Sequence, residues 1–169
     1  HTLGQLLGKD SRRAKEAEEL LRRSMEILKQ VNDKHGQAQA LHTLGQLLGK
    51  DSRRAKEAEE LLRRSIEIGE DIKHYHHQAQ ALHTLGQLLG KDRRRAKEAE
   101  ELLRRSLLIG EKINNINHQA QVLFSLGKLI FDANPNDGRA LLLRSIELNK
   151  RLKNTYFVKL VNEELAKRG

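Results

Sequence analysis

The chain repeats itself. Residues 1–24, HTLGQLLGKDSRRAKEAEELLRRS, return unchanged at 42–65 and again at 83–106, where Arg93 replaces the serine. The period is 41 residues, and a divergent fourth copy opens at Phe124 as FSLGKLIF. A fixed period of roughly 20–50 residues marks a solenoid, whose units are too small to bury their own apolar faces and stack on one another instead. The 169 residues suffice for one domain with a buried core. The expected organisation is a single domain, 1–169, with repeats at 1–41, 42–82 and 83–123. A divergent repeat at 124–154 and a C-terminal capping helix at 155–169 complete it.

Each unit reads as two helices. Ala40, Leu41, Leu44, Leu47 and Leu48 recur at helical spacing, which predicts a first helix over 37–48. Gly49 follows where a left-handed helix end favours glycine. Asp51 is then placed to cap a second helix over 52–72. That helix carries a stripe of Ala55, Ala58, Leu62, Ser65, Ile66, Gly69 and Ile72, widened by Leu61 and Ile68. The stretch Lys73-His74-Tyr75-His76-His77 varies most between units and is expected to be a loop.

In the fourth unit, Asn134-Pro135-Asn136-Asp137-Gly138 has strong turn chemistry, with a helix expected over 139–153. A final helix over 156–167 sets apolar Phe157, Leu160, Val161 and Leu165 against polar Lys159, Asn162, Glu163 and Lys167. One apolar face and one wet face suit the end of a repeat array. His1 falls five residues into the counterpart of the first helix, so that helix is expected to be truncated and the N-terminal repeat uncapped. The chain reads as an excised fragment.

Composition narrows the classes. Hydrophobic residues are 37% and charged residues 33%, with one proline, which suits a soluble helical protein. Cysteine is absent, excluding disulfides, thiolate metal sites and a cysteine nucleophile. No apolar run approaches the ~20 residues of a membrane helix. With no signal-peptide pattern, a cytoplasmic setting is expected.

The spacing Leu41-x2-Leu44-Gly45-x2-Leu48, followed by Ala58-x3-Leu62-x2-Ser65, resembles the tetratricopeptide repeat. The pattern recurs at Leu82, Leu85, Gly86, Leu89, Ala99, Leu103 and Ser106, and again at Leu123, Leu126, Gly127, Ile130, Leu142 and Ser145. Two features depart from the common form: a 41-residue period, as in the long variants of the kinesin light chain type and of bacterial arrays, and no closing proline. Copies this similar point to recent tandem duplication or to deliberate design.

The resemblance implies an all-α, right-handed solenoid of helix–turn–helix repeats that binds a peptide or protein segment in a concave groove lined by the first helices. Carried over position by position, the groove-facing residues would be Gln39, His42, Gln46 and Lys50, then Gln80, His83, Gln87 and Lys91. The last unit would add Gln121, Phe124, Lys128 and Phe131. Glutamine offers both a donor and an acceptor to the amides of an extended peptide. Phe124 and Phe131 would give an apolar spot; packing against the capping helix is the competing account of both.

Other chemistries find less support. Residues 45–52, GQLLGKDS, miss the phosphate-binding loop by one residue between the glycines and by Asp after Lys. His74, His76 and His77 lack a cysteine or a close carboxylate pair to complete a tetrahedral metal set, so a solvated loop and no metal are expected. His1, His42 and His83 fall in a row by periodicity. Net charge is +9 with 32 Lys+Arg, yet residues 42–82 carry seven basic and seven acidic residues. A polyanion binder made by duplication would repeat its charge, so a basic nucleic-acid surface ranks third among the readings. Arg93, Arg94, Arg95 and the Lys150, Arg151, Lys153 segment are its best patch. Every Ser, His and Asp of interest is copied, which leaves no single catalytic constellation, and neither an enzyme nor a cofactor is expected. The reading is therefore a non-enzymatic interaction scaffold, with a structural array self-associating through its N-terminal repeat as the alternative.

Overall fold

The structure is a computed structural model that describes the backbone of residues 2–168 and the side chains of residues 13–168. His1, the first of the expected histidine row, lies outside the described residues. Among those residues the chain forms eight α-helices and no strand. In order they are α1 Thr2–Gln30, α2 Lys34–Leu48, α3 Ala55–Asp71, α4 Tyr75–Leu89, α5 Ala96–Lys112, α6 Ile116–Ile130, α7 Pro135–Arg151 and α8 Thr155–Lys167. Two 3-10 turns, Ser52–Arg54 and Arg93–Arg95, lead into α3 and α5. The chain divides into two compact units, His1–His77 and Gln78–Gly169.

Within each repeat the two helices lock through the same small residues. Ser65 donates its hydroxyl to the Ala38 carbonyl at 2.8 Å, Ser106 to Ala79 at 2.7 Å and Ser145 to Ala120 at 2.7 Å, and all three serines are fully buried. A burial that leaves a hydroxyl satisfied avoids the desolvation penalty, and the short side chain lets the helices close up. Gly45, Gly86 and Gly127 stand opposite Leu62, Leu103 and Leu142 of the partner helix. The cores grow from these contacts. In the first unit Ala38, Leu41 and Ile68 cluster with Met25 and Leu61 packed against them. In the second, Leu103, Leu107, Val122, Leu123, Leu126 and Ile130 form one cluster, and Phe131, Leu142, Ile146 and Val161 form another under α8. Val161 is fully buried while Lys159, Asn162, Glu163 and Lys167 are exposed, so α8 has the expected apolar and wet faces.

Several helix limits differ from the expectation, each for a local reason. α2 begins at Lys34, because Asp33 accepts from the Gly36 amide at 2.9 Å and caps the helix three residues early. Asp51 does act as a cap, accepting from the Arg53 amide at 3.0 Å, but it starts a 3-10 turn before α3. Gly49 is right-handed, at φ −65°. The left-handed positions are Asn32, Lys73, Asn114 and Lys153, which end α1, α3, α5 and α7. The segment 134–138 opens α7: Asn134 caps it, Pro135 takes the first turn, and Gly138 lies inside the helix against Phe131. His76 and His77 belong to the first turn of α4, so the 73–77 loop is shorter than expected. The largest difference is α1. The first copy of the repeat, read as a truncated helix, a break and a second helix, is instead one continuous helix through Gly8 and Asp10.

Candidate functional site

The residues carried over as groove-facing fall on one side of each first helix. On α2, Gln39, Gln46 and Lys50 at its end are exposed, and His42 is half-buried. Burial pushes the His42 imidazole below its ordinary pKa, favouring the neutral ring.

The second unit makes more of the same pattern. Gln87 and Lys91 are exposed at the end of α4, and Lys128 is exposed on α6 beside half-buried Phe124. Gln87, Lys91, Phe124 and Lys128 line one open recess of about 430 Å³, together with Ser125 and Arg168. Lys128 Nζ stands 5.2 Å from the Phe124 ring centroid, within cation–π range. Arg168, at the end of α8, is held by Glu164 at 2.7 Å and Asp132 at 2.8 Å. The recess therefore offers an amide, an aromatic face and basic groups along one strip.

Other carried-over residues sit elsewhere. His83 is only 8% exposed; its Nε2 lies 2.8 Å from Ser125 Oγ and its ring meets His118 edge-on at 5.6 Å. Gln80 and Gln121 are half-buried and do not line the recess. Phe131 is buried among Leu142, Ile146 and Val161, and Phe124 meets Phe157 of α8 edge-to-face at 5.3 Å. Packing against the capping helix, the competing account of these phenylalanines, describes the surroundings of both. Phe124 alone also lines the recess.

Sequence reasoning missed Ser125 and Arg168. Ser125 joins the site by bonding to both Gln87 Nε2, at 2.9 Å, and His83. It occupies the position of Thr43 and Thr84 in the other units, a hydroxyl at every copy that could have flagged it. Arg168 lies outside the repeat pattern and comes to the recess only through the placement of α8. A larger recess of about 720 Å³ lies along α8 at Thr155 and Val158, and Lys150 and Lys153 of the expected basic patch line it.

The basic segment reads differently once its partners are known. Arg94 pairs with Asp92 at 2.9 Å and Arg95 with Glu98 at 2.7 Å. The histidine stretch also changes: His77 is buried, and His35 from the preceding inter-helix junction packs against it.

Two family models of the tetratricopeptide repeat match the chain, one over residues 1–71 and one over 78–120. With the helix pairs, the Leu–Gly and Ala–Leu–Ser positions and the buried serines, these matches show that the chain belongs to the tetratricopeptide repeat family. Such repeats generally mediate protein–protein interactions, and proteins built from them are typically non-enzymatic scaffolds. A search of curated protein sequences finds no match. No helix among the described residues is long and apolar enough to cross a membrane.

Proposed function

We propose that the chain is a non-enzymatic interaction module that takes an extended, acidic peptide segment along the α4–α6 side of its second unit. The observation behind this reading is the convergence of Gln87, Lys91, Phe124 and Lys128 on one recess. Gln87 can accept through its amide oxygen while its nitrogen is held by Ser125. Lys91 and Lys128 favour carboxylates, and the Phe124 ring gives an apolar contact between them. On α2, Gln39, Gln46 and Lys50 repeat the polar part of this set without the phenylalanine. His83 is better suited to orienting these helices than to touching a ligand, because it is buried, and half-buried His42 offers a ligand only part of its ring.

Selection of a displayed random peptide library against the chain tests the reading. Enriched peptides should be acidic, and their affinity should fall about tenfold or more, the scale of ~1.4 kcal/mol, in Gln87→Ala/Lys128→Glu. Acidic peptides that bind this variant equally well, or no enrichment at all, would remove the recess as the site.

Self-association is the second reading, and one observation favours it. Leu20, Ile27 and Val31, spaced along one side of α1 and its end, are 65%, 60% and 66% exposed. An aligned apolar strip of this kind is a recognised contact surface.

A further inference from the structure

The junction between α3 and α4 assembles three imidazoles that lie far apart in sequence. His74 precedes α4, His77 lies in its first turn, and His35 comes from the first turn of α2. The ring centroids of His74 and His77 are 4.2 Å apart and stacked; those of His35 lie 4.7 Å and 4.5 Å from them, edge-on. The Nε2 atoms of His35 and His77 are 2.9 Å apart, and one ligand nitrogen from each of the three rings lies within 4.8 Å of the others. All three belong to the first compact unit.

We propose that His35, His74 and His77 form a binding site for a divalent late transition metal of the zinc class. Three neutral imidazoles without an oxygen ligand suit zinc, copper or nickel and exclude magnesium and calcium. Around tetrahedral zinc, with bonds of about 2.0–2.1 Å, ligand nitrogens stand roughly 3.3 Å apart. The His35–His77 pair opens by a few tenths of an ångström, and His74 closes in by rotation of its ring. The proton shared between the two Nε2 atoms moves to the far nitrogen of its own ring, so no base is consumed. A fourth position stays open on the side of exposed His35.

Two observations separate this cluster from ordinary packing. His77 Nδ1 is buried without a hydrogen-bond partner, a rare state in a packed interior, so hydrogen bonding of this ring does not by itself account for its burial. His118, at the corresponding place one repeat later, shows the structural alternative: its Nε2 lies 2.8 Å from the Ser106 hydroxyl, whereas His77 Nε2 faces a second imidazole. Second, His74 stands where Asp33 and Asn115 cap α2 and α6. Those caps accept at 2.9 Å and 3.0 Å, whereas His74 Nδ1 accepts from the His77 amide at 3.3 Å. The residue at this position caps its helix less closely than its counterparts do, and surrendering so long a bond to a metal costs little.

The repeats supply substitutions already accommodated at equivalent places: His35→Asn as at Asn117, His74→Asn as at Asn115, and His77→Gly as at Gly36. The untagged chain, freed of metal, is titrated calorimetrically with zinc, with circular dichroism confirming that each variant is folded. One zinc per chain is expected, with affinity reduced at least about tenfold by each of the three substitutions. His76→Asn, an exposed neighbour outside the cluster, should bind like the parent. Cobalt should give the intense visible bands of a tetrahedral site in the parent and lose them in His74→Asn. Absence of saturable binding, or equal weakening by His76→Asn and His35→Asn, would overturn the proposal.

Discussion

A methyl group added at Gly45 would stand 2.7 Å from Cγ of Leu62 and 3.2 Å from the Ala58 carbonyl oxygen. The same contact recurs at Gly86 against Leu103, at 2.8 Å, and at Gly127 against Leu142, at 2.9 Å. The obstacle is the branch point of a fully buried leucine, which cannot swing aside as a chain end could. Alanine at Gly45 would gain about 1 kcal/mol of helix propensity. Overpacking typically costs about 1–3 kcal/mol, so the net expectation for Gly45→Ala is a loss. Urea unfolding of that variant checks it; an unchanged or raised midpoint would mean that Leu62 yields. This glycine was legible in the sequence because its position recurs with the period. Ser125 was harder to read, since its hydroxyl has a routine bond to Gln121 and acquires a second role only when α4 lies beside α6.

Helix ends and the ties between helices follow a second logic. α1, α3, α5 and α7 all end in a left-handed residue, with the amide after it returning to a carbonyl one turn back: Asp33 to Leu28, His74 to Gly69, Asn115 to Gly110 and Asn154 to Asn149. Glycine is the usual residue there, and Lys73 and Lys153 are not conventional signals, so the sequence marked a left-handed end at Gly49, which closes α2 in the right-handed conformation, and not at these four positions. α1 and α3 are tied by charge. Arg54 reaches Glu18 at 2.6 Å, and Arg22 bridges Glu18 and Glu57 at 2.9 Å and 2.6 Å. The Arg54 hydrogen bond, helped by Arg22, holds Glu18 down to about 2 from 4.5. Because the folded value is the lower, this stabilisation is complete above about 4.5 and fades as pH falls toward 2. Glu18→Gln should lower stability at pH 7 by about 1 kcal/mol, given its partly exposed partners. The gap to the parent should shrink between pH 4.5 and 2. Thermal melts across that range measure it, and a gap independent of pH would show that the network adds nothing.

For the molecule as a whole, charge and apolar surface were unequally readable. The net charge of +9 suggested a basic surface, yet Arg54, Arg94 and Arg95 are committed to carboxylates within and between the repeats. The uncovered strip of Leu20, Ile27 and Val31 leads to a definite expectation. If it mediates self-association, light-scattering mass should rise with concentration, and Leu20→Glu/Ile27→Glu should hold the chain at one mass. A constant mass for the parent would leave the strip without that role. The period, the helix-pair class and the spacing of the packed residues followed from the sequence, because a 41-residue repeat of apolar positions admits few ways to bury them. The meeting of His35 with His74 and His77 did not, because it joins residues from two different junctions.

The clearest division lies in a single stretch. Residues 1–24 and 42–65 are identical, yet residues 2–24 lie in one unbroken helix, and 42–65 form the end of α2, a 3-10 turn and the start of α3. A lone glycine inside a helix costs only about 1 kcal/mol, so local preference leaves the stretch LLGKDSRRA nearly balanced between continuing and breaking. In the second copy the break lets Leu62 seat on Gly45 and Ser65 reach Ala38, and the apolar area buried by folding back decides for the turn. Sequence set which residues could pack and at what period; tertiary contact decided whether the same residues turned back on themselves or ran straight on.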